Sequence, residues 1–83
     1  MSENRKKVAA LVGEKITALK GKVAEAASLD DKFAIYNDYT LFFNGLDAGL
    51  KLAGGDADDA KPIAAALASI DADSALLEAL ADE

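Results

Sequence analysis

Residues 33–43 read FAIYNDYTLFF and hold every aromatic side chain of the protein: Phe33, Tyr36, Tyr39, Phe42 and Phe43. Their periodicity decides the fold. At about 100° per residue, Ile35, Tyr36, Tyr39, Phe42, Phe43, Leu46, Leu50 and Ala53 fall in one arc of a helical wheel. Asn37, Thr40, Asn44, Asp47 and Lys51 fall together on another side. This is an amphipathic helix that buries four of its five rings, with Tyr36 and Tyr39 holding their hydroxyls at the margin of the core. Ser28 followed by Asp31 resembles a capping box, and Asp30 and Asp31 suit the positive end of the helix dipole. Gly54-Gly55 offers the left-handed backbone that many helix ends require. The segment is therefore predicted to be helical over about residues 29–53.

Working toward the N-terminus, Val8, Val12, Ile16, Leu19, Val23 and Ala26 recur at spacings of three and four. They make one narrow apolar stripe, which predicts a helix over about 3–27. Gly13 and Gly21 lie outside the stripe, each costing about 1 kcal/mol relative to Ala. Toward the C-terminus, Asp58 or Asp59 is the expected cap of a helix over about 59–70, with Pro62 in its first turn, where a missing N–H does no harm. Asp71-Ala72-Asp73-Ser74-Ala75 echoes Asp56-Ala57-Asp58-Asp59-Ala60, so a further short helix is expected over about 73–81, either separate from the one before it or joined to it as one kinked rod. No segment alternates as a strand does. The expectation is an all-α, single-domain chain spanning 1–83: a small three- to four-helix bundle with helix 2 central.

The composition limits what such a bundle can do. Of 83 residues 52% are hydrophobic, but 19 are Ala, so the larger apolar side chains must do most of the burying. A core of this size rarely contributes more than about 3–5 kcal/mol, and self-association is a natural supplement. There is no Cys and no His, which removes disulfides, the usual zinc ligands and an imidazole base for a Ser nucleophile. The acids cluster at expected helix starts, where capping accounts for them. The chain is accordingly read as not an enzyme, with no cofactor and no metal. No apolar run has a membrane-spanning length or a signal-peptide form, so the expected location is cytoplasmic, without membrane association.

Two motifs fail on inspection. A calcium loop starting at Asp56 needs Gly and an acid where Lys61 and Leu67 stand; one starting at Asp71 places Leu76 and Asp82 there. Gly13-Glu14-Lys15-Ile16-Thr17 lacks both the upstream glycine and the hydroxyl after the lysine of a phosphate-binding loop.

Net charge is −6, divided as +3 over residues 1–28 and −9 over 29–83. Such asymmetry can orient self-association or select a charged partner. The basic residues Arg5, Lys6, Lys7, Lys15, Lys20 and Lys22 scatter around helix 1 instead of forming a stripe, which argues against nucleic acid as a partner. DNA contact through helix 1, or acidic mimicry of DNA, is the alternative reading.

The core arc of helix 2 leaves a remainder: Phe33, Leu41 and Leu52, with Gly45 and Gly49 four residues apart. Either another helix of the chain packs into this glycine groove, or these five residues form a contact surface for a second protein chain. The resulting expectation is a small, acidic, non-catalytic protein–protein interaction module. It would serve as an adaptor, inhibitor or assembly component, of the kind phages and mobile elements carry, with another chain or a further copy of itself as partner.

Overall fold

The computed structural model describes residues 3–81. Three helices account for most of them: α1 (Glu3–Glu25), α2 (Leu29–Leu52) and α3 (Lys61–Ala81). No strand occurs among the described residues. The protein is an all-helical bundle, and each helix packs against both others.

Local chemistry sets the two turns. Ser28 is the N-cap of α2, with extended backbone (φ −133°, ψ 163°), and its Oγ accepts from the Asp31 N–H at 3.1 Å. The Lys32 ammonium reaches back to the Val23 carbonyl at 2.6 Å, tying the start of α2 to the end of α1. At the other end Gly54 takes φ +93°, the Gly54 N–H donates to the Lys51 carbonyl, and the Gly55 N–H donates to the Leu50 carbonyl at 2.9 Å. This is the Schellman arrangement anticipated from the glycine pair. Gly55 has a second reason to be glycine, since a Cβ there would lie 2.6 Å from the Leu50 side chain.

The turn into α3 is closed by a reciprocal pair. The Asp59 N–H donates to Asp56 Oδ1 at 2.9 Å, and the Asp56 N–H donates to Asp59 Oδ2 at 3.3 Å. Asp59 is buried there. Pro62 falls in the first turn of α3, as its chemistry demands. Arg5 bonds Asp58 at 3.2 Å, so the start of α1 meets the α2–α3 turn. The chain thus runs up, down and up, with α1 and α3 parallel.

The core is built from the two predicted stripes and from the rings. Val12, Leu19, Phe43, Ile63, Ala66 and Ile70 are buried, and Val8, Ile16, Val23, Ile35, Tyr36, Tyr39, Leu46, Leu50 and Leu67 pack around them. Phe43 is wholly inaccessible and is the largest such side chain.

Three expectations are corrected. The segments expected over 59–70 and 73–81 join in one helix, α3, with Asp59 and Ala60 in the turn before it. The two Asp-rich stretches differ in their surroundings. The first follows Gly54-Gly55 and precedes Pro62, whereas the second lies among alanines with neither breaker. Ile63, Ile70 and Leu77 also keep a seven-residue spacing through it, the first two buried in the core and Leu77 half-buried. Second, Phe42 is not core: it is 40% exposed. It stands at the edge of its arc, edge-on to Phe43 at 5.4 Å. Third, α2 supplies Phe43 and a row of residues packed around the core, but it is not surrounded by the other helices. A helix in a three-helix bundle has two neighbours and one open side, and that of α2 faces outward.

Candidate functional site

The open side of α2 follows from the position of Phe43. Leu52 comes nine residues later and Leu41 two residues earlier, each about 160–180° round the helix from a ring at the centre of the core. Leu41 is accordingly 63% exposed and Leu52 90%. Between them on the same face stand Gly45, Ala48 and Gly49, all exposed. A Cβ placed on Gly45 or Gly49 would meet nothing within 4 Å, so no helix of this chain enters the groove. Phe42 borders the strip on the α1 side. On the α3 side Asp47 and Lys51 pair with one another at 2.9 Å.

Four of the five residues singled out from the sequence are thus brought together: Leu41, Gly45, Gly49 and Leu52. Phe33 is not among them. It is half-buried and lies eight residues from Leu41, about 12 Å along the axis and 80° round it. Leu29, Phe33 and Tyr36 instead share a face at spacings of four and three. Ala48 was missed by the sequence reading, although its wheel position lies beside that of Leu41. Its small side chain hid it among 19 alanines.

Beside the strip, α1 and α2 enclose an open groove of about 240 Å³ lined by Lys15, Lys22, Ile35, Asp38, Tyr39 and Phe42. The Lys15 ammonium lies 5.5 Å from the centre of the Phe42 ring, and that of Lys22 lies 5.5 Å from the Tyr39 ring. Both cations meet the negative faces of aromatic rings. A second apolar area lies at the far end of the bundle, where Leu76 and Leu80 on α3 are 62% and 58% exposed. They border a groove of about 200 Å³ with Tyr36, Asp73 and Leu77. Burial, with the Asp73 carboxylate nearby, raises the Tyr36 hydroxyl above its ordinary pKa.

The remaining polar chemistry is structural. Asp58 receives Lys61 and Arg5, each at 3.2 Å. The Lys61 hydrogen bond, with help from Arg5, holds its carboxyl below the ordinary carboxylate range. Among the described residues no group of three or more His, Cys, Asp or Glu is arranged to hold a metal ion. None of the helices described is long and apolar enough to cross a membrane. Comparison of the chain with protein-family models, with curated proteins and with solved structures returned no match.

Proposed function

We propose that this protein is a non-catalytic protein–protein interaction module, an adaptor, inhibitor or assembly component, whose contact surface is the outer face of α2. One observation carries the reading: Leu41 and Leu52 are 63% and 90% exposed on a face that has no charge between them. Single exposed leucines are ordinary on a protein surface. Two at the ends of a twelve-residue strip whose outward positions between them are Gly and Ala, with the half-exposed ring of Phe42 alongside, make a continuous apolar surface of the kind that partners cover. The lack of His and Cys, and the use of the acids in caps, turns and ion pairs, support a binding role over a catalytic one.

The test compares the native chain with Leu41→Lys/Leu52→Lys in affinity capture from the native host and in thermal unfolding. The expected result is a partner chain held by the native protein and released by the variant at an unchanged Tm. Identical capture by both proteins, or outright unfolding of the variant, overturns the reading.

A further inference from the structure

We infer that the chain that covers the outer face of α2 is a second copy of this protein, its α2 packed antiparallel on the first about a two-fold axis between Leu46 and Asp47. This rests on the reading of that face given above and supplies its partner. The layout of the strip is palindromic: Leu41, Gly45, Ala48 and Leu52 follow at spacings of four, three and four. A two-fold interface is isologous, so that where residue i of one copy meets residue j of the other, j also meets i. In this register Leu41 faces Leu52 of the second copy, and Gly45 faces Ala48. Large side chains close both ends while small ones let the backbones approach in the middle.

Surface area agrees. The protein exposes 5290 Å², where a compact chain of its 8.6 kDa would expose about 4,700 Å². Its 44 × 19 × 19 Å dimensions and 13.9 Å radius of gyration likewise exceed the roughly 12 Å of a compact domain this long. The excess of about 600 Å² approaches the roughly 800 Å² per partner that a standard interface removes from water. In this register the two α2 helices overlap over residues 41–52, about 18 Å of their length.

Charge selects the antiparallel sense. The first half of α2 carries Asp30, Asp31 and Asp38 against the single Lys32. Antiparallel packing keeps these aspartates apart, bringing Asp38 level with Gly55 of the second copy. Parallel packing would set the three aspartates of one copy against those of the other. The face from residue 41 to residue 52 contributes no charge, so the net −6 of each copy acts at a distance, where physiological salt screens it.

Light scattering and sedimentation at concentrations on the order of tens of micromolar should give twice the 8.6 kDa mass. Gly45→Leu adds a side chain where the protein itself leaves open space, and in a helix Leu is the better residue. It should therefore raise the dimer Kd by at least about 30-fold while leaving the monomer's Tm unchanged or higher. Because the chain has no Cys, Ala34→Cys carries a single spin label per copy. The register places the two backbones about 38 Å apart at that residue, against about 10 Å for parallel packing. A short distance overturns the antiparallel arrangement, and a dimer indifferent to Gly45→Leu overturns the interface. A native chain still monomeric near 1 mM overturns the self-partner. If it is monomeric but loses a captured partner on Leu41→Lys/Leu52→Lys, the interaction face stands and only the second copy falls. If nothing is lost in either experiment, both readings fall.

Discussion

Three side chains show how single residues hold the turns. Ser28 supplies the one side-chain acceptor at the start of α2, so Ser28→Ala should cost about 1 kcal/mol in chemical denaturation. Gly54 is the only described residue with positive φ, and Gly54→Ala should cost a comparable amount, about 1 kcal/mol. Asp58 links stability to pH. Its folded pKa lies below the unfolded value, so the stability it contributes is present above pH 3.8 and is lost as pH falls through the folded value. The Tm difference between the native chain and Asp58→Asn should therefore be measurable at pH 7 and shrink as pH falls below 3.8.

At the level of the helix, two nearly identical sequence stretches have different fates. In Asp56–Ala60 the side chains of Asp56 and Asp59 satisfy one another's backbone N–H groups, so Asp59→Ala removes a buried carboxylate and the acceptor it gives the Asp56 N–H. That change should cost about 1–2 kcal/mol. Asp73, in the second stretch, lies exposed in the middle of α3 and caps nothing. Asp73→Ala should be neutral, or stabilising by a few tenths of a kcal/mol through helix propensity. Equal losses at the two positions in urea unfolding would contradict one continuous α3. The repeat was plain in the sequence, but its two contexts were not weighed: a cap needs a chain that is free to leave the helix. Gly54-Gly55 and Pro62 provide that freedom around the first copy, and nothing does around the second.

For the whole molecule, the two sides of α2 should respond in opposite ways. Phe43→Ala opens a cavity at the centre of the core and should cost about 3–5 kcal/mol, which is most or all of what so small a bundle holds. Leu52→Lys, nine residues later on the opposite face, should change monomer stability by less than about 0.5 kcal/mol. Thermal unfolding of the two variants checks this directly, and similar losses would mean that the open face is packed from within the chain.

Much of this was legible in the residues. The stripes of α1 and α2, the Ser28 cap, the glycine stop and the position of Pro62 all follow from local rules of spacing and backbone conformation, which act within a few residues of one another. Such rules also isolated Leu41, Gly45, Gly49 and Leu52 as what the core arc of α2 leaves over. Whether those four face another helix of the same chain or open space depends on how many helices surround α2, a question of long-range packing on which local periodicity is silent. The merging of residues 61–81 into one helix left only two neighbours for α2, and two helices cannot cover a third all round. The same packing pushed Phe42 to the rim and turned Phe33 away from the strip. The chain by itself determined which faces are apolar; the tertiary arrangement decided which of them the protein keeps for its own core and which it leaves in solvent.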